Sequence, residues 1–272
     1  MNNYFTPFLL TIVASSFVLT SCNRQENNTT AEAGEETITQ YAEKSVDDVL
    51  DDYVLRSDSS DFADCAEITD SGADIYPRTI VIDFGDGCTG PGGRTRTGII
   101  TVELSDAWDA IGSMRTVNFE GYTISPVWSD LAIGLDGTRT SERLANNAEG
   151  QPEFSRVIDM TIARGQFTIE HEFSGVRTWI SGYDNPQADE NIFGLTGSGT
   201  AVRNGEYTIV REILDTLMFD SSCDQVTQGV MAVTRPLTSS TIDYGSGACD
   251  DEAVVTTANG NTFTIDLHQF PG

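Results

Sequence analysis

The sequence predicts an all-β domain preceded by one acidic amphipathic helix, and three observations predict it. Beyond Cys65, apolar residues alternate with polar ones in run after run, the period of a half-buried strand. Turn pairs such as Asn204-Gly205 and Asn259-Gly260 separate those runs, and Asn-Gly between alternating segments is a strong hairpin signal. Upstream, Val46, Val49, Leu50, Tyr53 and Val54 follow the spacing of one helix face. Roughly twelve strands with short connections form an antiparallel meander. A sheet of that size curls into a barrel or half-barrel, or splits into a sandwich.

The elements follow in chain order. Residues 1–21 contain no charged side chain, and the apolar run 8–19 is shorter than the ~20 residues a membrane helix needs. It has the length of a signal-peptide core. Leu19-Thr20-Ser21-Cys22 resembles a lipobox, although no Lys or Arg precedes it. The expectation is a lipoprotein signal peptide over 1–21 and a lipidated Cys22. Palmitate-type chains there would hold the protein on a bilayer at about 0.8 kcal/mol per buried methylene. Asn23 stands where Asp marks inner-membrane retention in enteric bacteria, so the expected site is the outer membrane of the cell envelope. Periplasmic and exterior faces both stay open.

Residues 22–36 are polar and read as a flexible tether. The helix is expected over 37–55, within an acidic connecting segment 37–64. It would lie on the domain by its apolar stripe, with Asp47, Asp48, Asp51 and Asp52 on the opposite side. The β-domain is expected over 65–272. Its turn signals are Gly92-Gly93, Asp136-Gly137, Arg164-Gly165, Asn204-Gly205 and Asn259-Gly260.

Setting Cys22 aside leaves Cys65, Cys88, Cys223 and Cys249, an even number that argues for disulfides in an exported chain. Four cysteines permit three pairings. An internal repeat favours one of them: Ile82-Asp83-Phe84-Gly85-Asp86-Gly87-Cys88 is echoed by Ile242-Asp243-Tyr244-Gly245-Ser246-Gly247 before Cys249. Each cysteine pair then brackets a strand ending in the same turn, which gives Cys65–Cys88 and Cys223–Cys249.

The segment Thr79 to Gly90, with Gly92-Gly93-Arg94-Thr95-Arg96-Thr97-Gly98 after it, resembles a family of uncharacterised Bacteroidota cell-envelope lipoproteins. Arg177-Thr178-Trp179, Arg203-Asn204-Gly205 and Asp243-Tyr244-Gly245 fit the same pattern, over about 65–268. Ser246 departs from it, where the first repeat has Asp86. The resemblance implies an envelope setting and a β architecture, and brings no activity.

Charge excludes more than it assigns. The net charge is −27, with 42 acids against 15 bases, of which Lys44 is the single lysine. Nucleic acid is excluded as a partner, because phosphates demand Lys and Arg. The acidity reads first as a solvated surface of the kind found in saline habitats. Asp83 and Asp86 are weak calcium candidates; calcium wants six to eight oxygens, and Asp is common in turns for its own reasons. Glu170 and Glu172 share a strand face, as a glycosidase pair would, but His171 shares the other face with Phe167, Ile169 and Phe173. That makes the glutamates solvent-facing and His171 a core residue. Trp108, Trp128 and Trp179 would serve either packing or sugar stacking.

The usual catalytic signatures do not occur, and neither does close-spaced zinc ligation. The expectation is a non-enzymatic binding or scaffolding domain with no cofactor. Its partners would be the membrane, through lipid, and an envelope protein or glycan. The alternative is a glycan-binding or glycan-processing surface protein.

Overall fold

In the computed structural model, which describes residues 34–51 and 65–268 apart from 73–74, 91–92, 128, 130, 184–190 and 224, the alternating runs pair into one antiparallel sheet. Its 14 strands are β1 (Glu67–Asp70), β2 (Arg78–Asp83), β3 (Cys88–Thr89), β4 (Thr95–Leu104), β5 (Met114–Ser125), β6 (Ile133–Glu142), β7 (Glu153–Arg164), β8 (Phe167–Ser181), β9 (Ile192–Arg203), β10 (Tyr207–Asp220), β11 (Gln228–Thr234), β12 (Ser239–Ser246), β13 (Glu252–Thr257) and β14 (Thr262–Asp266). Neighbours in sequence are neighbours in the sheet, except that β3 sits beside β4 off the main path. The sheet does not close into a barrel. Its free edges, β1 and β14, are only 4 and 5 residues long. Short edge strands limit the template that unpaired backbone offers to other chains.

Two hairpins follow their turn chemistry closely. Arg164 pairs with Phe167 across Gly165-Gln166, and Arg203 pairs with Tyr207 across a loop whose Asn204 and Gly205 are both left-handed. One expected turn is corrected. Asp136-Gly137 lies in the middle of β6, with Thr161 and Met160 opposite. Gly137 is there because the neighbouring backbone crowds it: at φ 115°, an added Cβ would stand 2.3 Å from the Asp159 carbonyl oxygen. The longest strand, β8, runs without a break through 15 residues.

These glycines differ in a measurable way. Gly137→Ala should cost at least the 1–3 kcal/mol of a forced left-handed residue and more for the clash with Asp159. Gly205→Ala has nothing within 4 Å of its new Cβ and should cost only about 1 kcal/mol. Urea unfolding of both variants measures the difference, and equal midpoints would refute the crowding argument.

The helix α1 spans 34–51, three residues earlier than the spacing predicts; 52–55 and the tether up to 33 lie outside the described residues. Glu35 and Glu36 explain the early start. They pair with Arg203 at 2.7 Å and Arg211 at 2.6 Å, and acids are also favourable near a helix N-terminus.

The placement of α1 corrects the larger expectation. It does not lie on the domain by one stripe but is buried on nearly every side. Ile38, Tyr41, Ala42, Val46, Val49 and Leu50 join the same core as Ile80, Ile100, Val117, Ile133, Ile158, Ile169, Ile209 and Val255 of the sheet. Its polar side reaches Arg139 of β6, Arg156 of β7, His171 of β8, Arg211 of β10 and Tyr244 of β12. A sheet that presents all these strands to one helix must curl around it.

Two disulfides brace the sheet. Cys65–Cys88 ties the segment before β1 to β3, and Cys223–Cys249 ties the β10–β11 connection to the β12–β13 connection.

Candidate functional site

The interior around α1 is ionic. Asp47 accepts from Arg139 and, at 2.6 Å, from Arg156, and lies 3.8 Å from Arg177. Glu43 takes Nε2 of His171 at 2.8 Å and Arg156 at 3.4 Å. Asp48 takes Lys44 at 2.9 Å and Arg94 at 2.5 Å, and Asp51 takes Arg177 at 2.9 Å. Arg211 donates to Nδ1 of His171 at 2.9 Å. A guanidinium has only donors, so Nδ1 accepts and Nε2 carries the hydrogen given to Glu43. His171 is a buried link between helix and sheet, bonded on both ring nitrogens.

Burial pushes the Asp47 carboxyl up, but the charges of Arg139, Arg156 and Arg177 outweigh it and hold the group well below the usual carboxylate range. Glu43 is likewise lowered against its burial, by His171 and then by the nearby arginines. Arg139 moves the other way. Burial and the neighbouring Arg156 push its guanidinium down to about 10, despite Asp47.

Two clefts flank this network. One, of about 440 Å³ with open solvent included, lies between the helix residues Glu36, Gln40 and Glu43 and the sheet residues His171, Phe173 and Leu217. The other, of about 340 Å³, lies at the C-terminal end of α1. Its walls are Asp51, Arg115, Arg139, Arg156 and Arg177, with Ser141, Ser155, Phe154, Trp108 and Trp179. The aromatic wall is continuous: the Trp108 ring centroid stands 5.9 Å from Trp179, 6.5 Å from Phe154 and 5.6 Å from Tyr183. Arg177 lies over the Phe193 ring at 3.5 Å.

The residues singled out from sequence scatter. Asp83 caps its own turn, accepting from the Gly85 amide at 2.8 Å, and Asp243 does the same for Gly245 at 2.9 Å in the second repeat. Asp86 lies in the same turn as Gly85, and among the described residues no three His, Cys, Asp or Glu side chains gather as a metal group. Glu170 and Glu172 are exposed and His171 is buried. Trp108 and Trp179 come together; Trp128 and Cys22 lie outside the described residues.

The interior arginines are what sequence reasoning missed. Their signal was present, because each stands in phase with the apolar side of its strand: Arg156 with Ile158, Met160 and Ile162, and Arg211 with Ile209. Of the helix acids, Glu35, Glu36, Glu43 and Asp47 are buried, and Asp48 and Asp51 are half-buried against Arg94 and Arg177. This corrects the expectation that Asp47, Asp48 and Asp51 lie on the side away from the domain; Asp52 lies outside the described residues.

No family model, no curated protein and no solved structure matches this chain.

Proposed function

We propose that the chain is a lipid-anchored cell-envelope protein whose β-domain binds or scaffolds another envelope component without catalysis. The observation that supports this reading is the position of α1. Eleven residues separate Cys22 from Gly34, a reach of about 40 Å at ~3.5 Å per residue. The helix that follows is locked into the centre of the sheet by Arg139, Arg156, Arg177 and Arg211. A lipid on Cys22 would thus hold the domain through its core and not through a peripheral appendage. The lipobox, Asn23 and the family resemblance favour the outer membrane.

The test is metabolic labelling with an alkyne fatty acid in a bacterium expressing the full chain. The chain should be labelled and sediment with membranes, while Cys22→Ala should lose both properties. An unlabelled wild-type chain, or label that survives Cys22→Ala, refutes the anchor.

A second reading, glycan binding, is favoured by the cleft that joins Trp108 and Trp179 to four arginines. Binding suits it better than hydrolysis. A glycosidase needs two carboxyl groups about 5–9 Å apart, and among the described residues the lining of this cleft supplies Asp51 alone, already paired with Arg177.

A further inference from the structure

We infer that the cleft at the C-terminal end of α1 is a binding site for an acidic sugar, with the ligand's carboxylate held among Arg115, Arg139, Arg156 and Arg177 and its ring against Trp108. This deepens the glycan-binding reading and rests on it.

Charge is the first argument. The molecule carries −27 overall, yet four guanidinium groups converge on this one cleft. Among the described residues, the carboxylates paired with them are fewer. Asp47 is shared by Arg139, Arg156 and Arg177, Asp51 pairs with Arg177, and Glu43 is divided between Arg156 and His171. Among the described residues, the four arginines thus share three paired carboxylates, one of which, Glu43, is also held by His171. Arg115 has Asp51 and Asp47 in its surroundings but is depressed by burial first, and Arg177 and Arg156 depress it further. The depression of Arg139 has the same origin. An additional anion would relieve both groups.

Hydrogen bonding is the second. Arg139 is only 1% exposed, and its Nε and Nη1 have no hydrogen-bond partner among the described residues. Buried donors without acceptors cost on the order of 1–3 kcal/mol, so a site that supplies one is chemically matched. A carboxylate offers two oxygens to such donors.

Shape and lining choose the rest of the ligand. The 340 Å³ of the cleft includes open solvent, and its enclosed part has room for a carboxylate but not for a whole sugar ring. The ring would therefore sit at the open side of the cleft, against Trp108 and Phe154, which line it and are half-buried. Aromatic faces suit the C–H surface of a pyranose, and the hydroxyls of Ser141 and Ser155 line the same cleft. A flat ring, hydroxyl partners and a deep cation cluster describe a uronic acid better than an acidic peptide.

The experiment titrates the full chain with D-glucuronate, D-glucose, acetate and an Asp-rich peptide, following tryptophan fluorescence and calorimetry. Saturable glucuronate binding at least tenfold tighter than for glucose and acetate is expected. Trp108→Ala should weaken it at least tenfold with the urea midpoint near wild type, and Trp108→Phe should restore most of it. Arg139→Gln should abolish it; should that variant fail to fold, Ser155→Trp, which fills the mouth and leaves the arginines in place, should do the same. Glucose binding as well as glucuronate, acetate binding as well as glucuronate, or the peptide binding where glucuronate does not, each overturns the inference. So does retention of binding in Trp108→Ala. A chain that is acylated on Cys22 but binds no uronate overturns this site alone and leaves the anchored reading intact.

Discussion

Replacing Asp47 with Ala is expected to lower the stability of the domain by about 3–5 kcal/mol, the usual cost of stranding a buried charge by removing its partner. Three arginines converge on this carboxylate; the variant leaves Arg139 without its helix contact and Arg156 with only the longer one to Glu43, in a buried interior. Equilibrium urea unfolding at pH 7 measures the loss. A decrease under 1 kcal/mol would mean that water or rearranged acids compensate, and that the ionic interior does little to hold α1. The same variant has a pH signature. Glu43, Asp47 and Asp48 all have depressed folded-state values, against ordinary ones of 4.5 and 3.8. Their contribution is therefore complete above about pH 4.5 and lost as the pH falls through the folded-state values. Wild type should lose stability in that acid range, and Asp47→Ala should show a flatter profile. Protonation also relieves repulsion among the exposed carboxylates, with opposite sign. Working at 1 M salt, where the Debye length is about 3 Å, suppresses that second effect.

Loss of the disulfides is the second large effect. The loops closed by Cys65–Cys88 and Cys223–Cys249 span 23 and 26 residues in sequence. In the chain-entropy model each is worth about 3.5 kcal/mol. Cys65→Ala/Cys88→Ala and Cys223→Ala/Cys249→Ala should each lower the unfolding free energy by about 3 kcal/mol, and the two losses should add, because they brace different parts of the sheet. The first pair has a further role, since it fastens the short edge strand β1. Its loss should speed hydrogen exchange in β1 and β2 while leaving β8 and β9 protected. Uniform loss of protection would show instead that the sheet opens as one unit. Non-reducing peptide mapping checks the pairing itself, and a Cys65–Cys249 linkage would refute the loop arithmetic.

Much of the fold was legible because strands announce themselves locally. Alternation in 252–257 and 262–266, with Asn259-Gly260 between, is a statement about adjacent residues that needs no knowledge of the rest. The hairpins at Gly165 and Asn204-Gly205 are legible for the same reason. Asp136-Gly137 misled because one dipeptide serves two ends: it can make a turn, or it can let a neighbouring backbone approach. Only the position of Asp159 distinguishes them. The length of α1 escaped because Glu35 and Glu36 are polar in composition, like the tether before them; the arginines that pair with them come 168 and 175 residues later.

The candidate site divides in the same way. Trp108 and Trp179 could be named from the sequence, but their 5.9 Å approach could not. The arginines were legible as inward-pointing by phase alone, since Arg156, Arg177 and Arg211 each follow the apolar side of a strand. What phase cannot supply is a reason to bury a charge, because an isolated guanidinium inside a sheet is prohibitively costly.

By itself, then, the sequence determined the strands, most of the turns, the acidic helix and which apolar side chains of the strands face inward, since each follows from steric and hydrophobic preferences over a few residues. The tertiary structure alone decided that the helix goes inside the sheet and that its acids neutralise the interior arginines. It also decided that aromatic and cationic side chains from four strands and a loop share one cleft. Those outcomes depend on charges far apart in the chain meeting where water is scarce. There a pair is tolerable and a single charge is not, and no local pattern records which partner will arrive.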